Sequence, residues 1–448
     1  MTNLLNSAVV RRVRGPMVIA LAVAGGVVAA LRVGQGDEKD SATQESLRYD
    51  AEYPAIGYST ARPSDAIVQL QAGIERGEIE LRFEQGRGYL DSLLEALDIH
   101  PSSQVLVFSR TSLQSRRIRP ETPRAIYFND DVYVAWVQQG PIEIGSLDPN
   151  LGPVFYMLEQ SASEPRFERE LTRCLSCHDS YSLTGGGVPR FIVGSGYTGA
   201  GGDLITHEGW ILVTDRTPLK SRWGGWYVTG RHGDQVHLGN MVIRAYADFE
   251  RLETLRIGNI ETLDHLFDTS LYATNTSDIV ALMIFEHQVN VQNLITRVSY
   301  DTRSALHRAQ DADTRAGESD ELIEEAVEPL VQAMLFVDEI TLTSPIAGDP
   351  SFVAQFASRA VRDGRGRSLR EFDFTKRMFR YPLSYLVYSD AFAALPEPAK
   401  QAIYRRFAAV LRNEDRSEEF AHLSAADRSA VLEILAATKP DFVAALGD

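Results

Sequence analysis

The sequence predicts an α+β fold, with a mixed N-terminal half built on antiparallel β segments and a mainly helical C-terminal half. Short segments rich in β-branched and aromatic residues, at 104–109, 125–130 and 132–138, recur in the first half. A sustained helical pattern of apolar residues runs from Ser277 to Ala309 in the second half. Hydrophobic residues make up 44% and charged residues 24% of the 448 residues, which is the composition of a globular protein with a substantial core.

Four stretches of the chain are expected to differ in role. Residues 1–33 are expected to be a signal peptide or an N-terminal membrane anchor, and residues 34–50 a flexible polar tether. Residues 51–246 are expected to form an α+β region, and residues 247–448 a helical region packed on it. No linker rich in glycine, proline and serine separates these two regions, which predicts that they form one body.

Further elements are predicted within these regions. Additional strands are expected at 154–160, 190–195, 209–215, 225–230 and 241–246. Additional helices are expected at 64–78, 88–99, 163–173, 319–340, 396–413 and 424–438. Pro329 is expected to kink or split the fourth of these helices, and Ser424 with Asp427 resembles a capping box.

The N-terminus has the charge order of an export signal. Arg11, Arg12 and Arg14 precede an apolar run from Pro16 to Leu31, and the polar tether follows. The run is long for the apolar part of a signal peptide and slightly short for a full membrane span. We expect an uncleaved anchor that leaves the arginines in the cytoplasm and the body of the protein in the periplasm or on the outer face of the membrane.

Charge and loop composition exclude some function classes. The formal net charge is −16, which disfavours nucleic-acid binding and is compatible with a basic protein partner. The run from Gly185 to Gly187 is not a phosphate-binding loop, because no Gly-Lys-Ser/Thr follows it.

The two cysteines of the chain form one motif, Cys174-Leu175-Ser176-Cys177-His178. At this spacing each thiol can add to a vinyl group of one haem, and the adjacent histidine can bind the iron as an axial ligand. The motif therefore predicts one covalently attached haem c, with Cys174 and Cys177 as attachment points and His178 as the proximal iron ligand. Covalent attachment also suits an exported protein, since it retains the cofactor outside the cytoplasm.

The sequence disfavours three other roles for the cysteines. A thioredoxin-like dithiol needs a strand before the motif and a helix that starts at the first cysteine, whereas the sequence predicts a helix at 163–173. A zinc site needs further ligands at paired spacing, and the sequence offers no second pair. A disulfide between Cys174 and Cys177 would close too short a loop to add much stability.

The sequence RCLSCH followed by GGGVPRF resembles the opening of a c-type cytochrome domain over residues 163–190. The resemblance implies that Pro189, eleven residues after His178, accepts a hydrogen bond from the second ring nitrogen of that histidine. The usual ending of such a domain is not recognisable, so the haem motif is expected to be embedded in a larger body.

The second axial ligand of the iron is less well defined. Met241, His237 and His232 are the candidates, in that order, because they lie in a loop and strand-like segment that can fold over a haem. Met241 lies 63 residues after His178, a separation similar to that in small cytochromes. An open sixth position is the alternative, and it would favour catalysis over electron transfer.

Other residues of the pocket are harder to assign from sequence. Trp223, Trp226 and Tyr227 are candidates for its wall, although aromatic residues at this density often form core. Arg222 or Arg231 can pair with a haem propionate, with surface exposure as the simpler expectation for both. Simple structural roles are expected for a further group, in the core or in a loop: His207, His287, Tyr381, Tyr385 and Tyr388.

The leading functional prediction is an exported monohaem c-type cytochrome that transfers electrons to or from a redox partner protein outside the cytoplasmic membrane. The alternatives are a haem-dependent oxidoreductase, peroxidase-like with an open distal site, and a haem-based sensor or structural subunit. The second axial ligand discriminates between them, because electron transfer favours a protein ligand and catalysis favours an open position.

The charge order of the N-terminus generates a topology prediction. Alkaline phosphatase fused after Asp448 should be active in a bacterial host, because the positive residues hold the start of the chain in the cytoplasm and the rest is exported. β-Galactosidase fused at the same position should be inactive. Activity of the β-galactosidase fusion alone would contradict the export assignment.

Overall fold

A computed structural model of the protein describes residues 50–161, 164–256, 258–310 and 317–445. The described residues belong to one compact unit, without a division near residue 246. The expected export segment lies outside the described residues, as does the expected tether except for its last residue. None of the helices in the described part of the chain is long and apolar enough to cross a membrane.

An antiparallel sheet organises the first half of the described chain. Its six strands lie side by side in chain order, so each is joined to its neighbour by a short connection or a loop. The strands are β1 (Val105–Val107), β2 (Arg124–Phe128), β3 (Val132–Trp136), β4 (Ile142–Asp148), β5 (Gly152–Leu158) and β6 (Phe167–Arg169). This sheet, together with the helices that dominate the second half, confirms the predicted α+β class.

A smaller sheet follows the motif. It pairs β7 (Gly194–Gly196) with β8 (Trp210–Leu212) in antiparallel register. The strands expected at 225–230 and 241–246 are wrong, because the structure has only isolated bridges there, such as that between Val107 and Trp226.

Each face of the large sheet packs into a different core. Register places Tyr133 beside Gly145 and Gly145 beside Phe155, so these residues share one face. Tyr133 and Phe155 belong to a core that includes much of the C-terminal helices. The alternate residues, among them Val134 and Tyr156, belong to a second core formed with the N-terminal helices. The sheet is therefore buried on both faces.

Helices supply the rest of the body. Before the large sheet lie α1 (Ala66–Glu75) and α2 (Leu90–Ala96), and after it come α3 (Leu175–His178), α4 (Tyr181–Thr184) and α5 (Leu252–Leu255). The C-terminal set is α6 (Ile279–Arg308), α7 (Glu318–Met334), α8 (Pro350–Ser358), α9 (Asp390–Ala393), α10 (Glu397–Leu411), α11 (Ala425–Thr438) and α12 (Pro440–Ala445). The capping box of Ser424 with Asp427 is confirmed at the start of α11.

The long helix α6 joins the sheet to the C-terminal half. The Tyr133 hydroxyl donates to the Gln292 side-chain oxygen at 2.6 Å, and the Gln288 side-chain amide donates to that hydroxyl at 2.8 Å. The same two glutamines donate to the backbone oxygens of Asn129 and Asp130 at 2.7 and 2.6 Å. Because all three side chains are buried, these bonds replace those that water would make, and they fix the height of α6 on the sheet.

The helix predicted at 163–173 is wrong. In the described part of that stretch the chain forms β6, which pairs Tyr156 with Arg169 and Leu158 with Phe167. The Arg169 guanidinium donates to the backbone oxygens of Tyr58 and Ala61 at 2.7 and 2.9 Å. These tertiary bonds outweigh a weak local helix preference, which is a common outcome for short charged segments.

Two other local patterns were misjudged. The sequence does not predict β4, because Glu143 and Gly145 have low strand propensity and Ser146 ends the apolar alternation that Ile142 and Ile144 begin. α7 continues through Pro329 and is not split. Pro329 lies on the exposed face of the helix, where water can satisfy the carbonyl that the proline leaves unpaired.

The start of α6 offers a test of how this helix is anchored to the rest of the C-terminal half. The buried Asp278 carboxylate accepts a hydrogen bond from the backbone N–H of Ala281 at 2.9 Å and another from the N–H of Asp349. Asp278→Ala should lower the free energy of unfolding by about 2–4 kcal/mol, because it leaves the buried Ala281 N–H and the half-buried Asp349 N–H unpaired. Ser424→Ala, at the exposed cap of α11, should lower it by about 1 kcal/mol. Equal losses in chemical denaturation would contradict this role for Asp278.

Candidate functional site

The motif occupies a single helical turn that begins shortly after β6. Cys174 is the N-cap of α3, and the backbone N–H groups of Cys177 and His178 donate to its carbonyl oxygen at 3.1 and 2.9 Å. This turn brings both thiols and the imidazole together at one end of the large sheet, on a rigid backbone rather than on an extended loop.

His178 has the tautomer that suits a metal ligand. Its ring Nδ1 lies 2.6 Å from the backbone oxygen of Arg190, and because a carbonyl can only accept, Nδ1 carries the proton. Nε2 therefore keeps its lone pair. In the reverse direction, the Arg190 N–H donates to the His178 carbonyl oxygen at 2.9 Å. The sequence prediction assigned this supporting role to Pro189 and was wrong by one residue.

A glycine turn and a helix side chain hold the segment that supports His178. Gly185, Gly186 and Gly187 have φ values of +82°, +70° and +79°, a run of left-handed conformations that favours glycine at each position. After this turn, the side-chain amide of Asn293 on α6 accepts a hydrogen bond from the Phe191 N–H and donates one to the Phe191 carbonyl, both at 2.9 Å. This paired bond fixes the backbone next to Arg190, and so it fixes the partner of the imidazole.

A cavity of about 580 Å³ opens beside the motif. Cys174, Cys177 and His178 all line it, and the His178 ring packs on Phe155 with ring centroids 4.3 Å apart. The wall is largely apolar and comes from the large sheet, the small sheet and α6; its aromatic members are Tyr133, Phe155, Tyr156, Phe191, Trp210, Trp226 and Phe285. This volume lies within the range of about 300–1,000 Å³ usual for cofactor pockets.

Burial sets the protonation states of the motif. Desolvation lowers the pKa of His178 to about 4, with a smaller contribution from Arg124, so the imidazole is neutral at physiological pH. Desolvation likewise raises the pKa of the Cys174 thiol to about 12, with the Glu143 carboxylate as the next cause. A neutral imidazole is the form that binds iron, and a buried thiol stays protonated until a reaction partner arrives.

The structure bears on the other readings of the cysteines. A strand does precede the motif and a short helix does begin at Cys174, so the secondary structure no longer argues against a dithiol. The high pKa of Cys174 does argue against one, because reactive dithiols need a lowered thiol pKa. Both thiols are free. Among the described residues there is no cluster of three or more His, Cys, Asp or Glu side chains that could hold a metal ion.

The three sequence candidates for the second axial ligand lie elsewhere. Met241, His237 and His232 are all buried, but none of them lines the cavity. The His232 and His237 rings instead pack against each other with centroids 4.7 Å apart, and His237 also contacts Trp223. The expectation that one of them covers the haem therefore has no support in their placement.

Only one of the other residues predicted for the pocket lines the cavity. Trp226 lines the cavity, with its ring N–H donating to the Gly194 carbonyl at 2.8 Å, whereas Trp223 and Tyr227 do not line it. Arg231 is exposed and pairs with Glu261, as the simpler expectation had it. Arg222 is not exposed: it forms a buried ion pair with Glu286 at 2.9 Å.

The expected structural roles of two histidines are confirmed. His287 is a core residue of α6, and its Nδ1–H donates to the Asp215 carboxylate at 2.7 Å while its Nε2 accepts from the Ser384 hydroxyl at 2.8 Å. His207 is exposed, in a short 3₁₀ turn between the two strands of the small sheet.

Comparison of the chain with protein-family models, with curated proteins and with solved structures found no match. The assignment of the site therefore depends on its own chemistry and geometry.

Sequence reasoning missed three residues of the site. Asn293 gives no signal beyond its place on a predicted helix, since its bond to Phe191 joins segments 102 residues apart. Arg124 and Glu143 form an ion pair at 3.1 Å in the cavity wall. They lie on β2 and β4, so their proximity can be inferred only when the position of β3 between these strands is known. The opposite charges of Arg124 and Glu143, each beside apolar residues, are the signal that the sequence offers.

The different burial of the two thiols predicts different reactivity. In haem-free protein at pH 8, iodoacetamide should alkylate the exposed Cys177 at least about tenfold faster than Cys174, because burial keeps Cys174 as a thiol. Peptide mass spectrometry of a time course measures both rates. Faster alkylation of Cys174 would indicate an activated nucleophile and would favour the dithiol reading.

Proposed function

We propose that this protein is an exported monohaem c-type cytochrome, in which one haem c is attached through Cys174 and Cys177, is ligated by His178 and occupies the cavity beside them. The observation that carries the proposal is the convergence of both thiols and a neutral imidazole on one cavity of about 580 Å³. The imidazole of His178 is in the neutral form that binds iron, because burial lowers its pKa.

The residues present fit the haem group. His178 would hold the iron through Nε2, and the carbonyl of Arg190 would keep the ring oriented and raise its basicity through the bond to Nδ1–H. The two thiols lie one helical turn apart, so both can react with the same macrocycle. The apolar wall formed by residues such as Ile126, Ala135 and Val289 would exclude water from the macrocycle.

The exposure of the motif suggests a route for electrons. Haem supplies an iron that alternates between the ferrous and ferric states. Cys177 is exposed and Cys174 is half-buried, so the edge of the cavity at the motif faces the solvent. A partner that docks over this edge would approach the cofactor without any opening of the body. The net charge of −16 favours a basic partner.

A second candidate function is a haem-dependent oxidoreductase or a haem-based sensor. It is favoured by one observation, that the described wall of the cavity contains no methionine and no histidine except His178. An iron without a second protein ligand can bind an external molecule, which electron transfer alone does not need.

The attachment is tested by changing the motif. Expressed with a c-type haem maturation system, the protein should keep its haem through acid–acetone extraction and give the pyridine haemochrome spectrum of a two-thioether haem. Cys174→Ala or Cys177→Ala should shift that spectrum to the one-thioether form, and the double variant should release its haem on extraction. Ser176→Ala is the control, because Ser176 is exposed and bonds only to the backbone of Arg173 and weakly to the neighbouring Cys177.

The control should keep the wild-type haemochrome spectrum and haem content. Haem loss from the wild-type protein on extraction would contradict covalent attachment, and so would a wild-type haemochrome spectrum from the double variant.

A further inference from the structure

We infer that His178 is the only residue in the described part of the chain that binds the iron, and that the cavity admits a small uncharged molecule, of the class of CO, NO and O₂, to the second axial position. This inference rests on the proposed haem attachment and deepens it, since it names the ligand class of the same site.

The cavity wall lacks the usual second ligands. Within the described residues, His178 is the only histidine that lines it, and neither methionine nor lysine lines it. One carboxylate is present, that of Glu143, and Arg124 holds it in an ion pair at 3.1 Å. Glu143 also lies close enough to Cys174 to raise the pKa of that thiol, which places it beside the attachment point.

The two tyrosines of the wall are engaged elsewhere. Tyr133 donates its hydroxyl proton to Gln292 at 2.6 Å, and Tyr156 donates to Asp65 at 2.6 Å. Burial raises the pKa of both phenols well above the ordinary value of 10.0. A tyrosine binds iron as the phenolate, so these neutral, hydrogen-bonded phenols are not available as ligands.

The segment that carries Met241 is held in place outside the lining of the cavity. The Asn240 side chain accepts from the Val228 N–H and donates to the Val228 carbonyl, both at 2.8 Å, and the Asn240 N–H donates to the Trp226 carbonyl at 2.9 Å. Asn240 is itself buried, so bringing Met241 into the cavity would leave these groups unpaired. His232 is tied in the same way, through its Nδ1–H to the Gln235 carbonyl at 2.7 Å.

The charge of the wall selects an uncharged ligand. Three arginines line the cavity, and each already faces a carboxylate: Arg110 with Asp203 at 2.9 Å, Arg124 with Glu143, and Arg173 with Glu170. No arginine of the described wall is thus left without a carboxylate partner to bind an anion. An anion that entered the apolar part of the cavity would lose its hydration, and within the described wall no unpaired arginine would offset that loss, whereas a neutral diatomic molecule would lose little.

The test uses the haem-loaded full-length protein and optical spectroscopy rather than turnover. The reduced protein should give a five-coordinate, high-spin spectrum and should bind CO without prior loss of a protein ligand. In the ferric state, NO should half-saturate the protein at a concentration at least about tenfold below that of azide, which has a charge. A low-spin spectrum in both redox states, or azide binding at least as tight as that of NO, would overturn the inference.

Four variants locate any competing ligand. Met241→Leu, His237→Gln and His232→Gln should leave the spin state and the CO-binding rate unchanged, as should the exposed control His207→Gln. Conversion of a low-spin wild-type protein to high spin by one of the first three would assign the ligand to that residue and refute the inference. Retention of thioether-bound haem in the same samples shows that the proposed attachment stands, whichever way the spin state falls.

Discussion

The buried amide side chains of α6 must find hydrogen-bond partners, and the partners that they find shape the site. Gln288 and Gln292 satisfy the turn between β2 and β3 and the hydroxyl of Tyr133, which places the helix on the sheet. One residue further along, Asn293 pairs with the backbone of Phe191. The same helix therefore positions both the wall of the cavity and the segment that orients His178. Loss of α6 from the sheet would open both together, because no water replaces these bonds inside the core.

The sequence predicted the elements with strong periodicity and the chemistry of adjacent residues. The helix expected between Ser277 and Ala309 is α6 with bounds that differ by one or two residues. The motif needs no tertiary information, since all of its donors lie within one helical turn. The predictions that failed concern segments whose structure depends on tertiary contacts. Phe167–Arg169, within the stretch expected to be helical, form an edge strand because β5 supplies hydrogen-bond partners, and no local sequence pattern indicates this pairing.

The least predictable residues were those whose roles depend on contacts between segments that are far apart in the sequence. Pro189 was assigned by counting from His178, and the bond goes to Arg190 because the glycine turn and Asn293 together set where the returning backbone lies. Met241 was likewise assigned by its separation from His178. That separation is meaningful only if the intervening chain folds as in a small cytochrome, and here it passes through β7 and β8 instead. A spacing rule transfers between proteins only where the fold between the two positions transfers as well.

The motif needs a much larger body around it, because a single helical turn cannot enclose a cofactor. A single turn at the surface, with Cys177 exposed, can attach a cofactor but cannot exclude water from it. The enclosing wall is drawn from residues between Arg110 and Val289, on strands of two sheets and on α6. The helices after α6 do not line the cavity within the described chain, yet they share the core that holds α6 in place. On this view most of the chain serves to keep one apolar volume closed beside a single imidazole. An enclosed apolar wall of this kind would limit which molecules reach the iron, while the exposed edge at the motif would still allow electrons to pass to a partner.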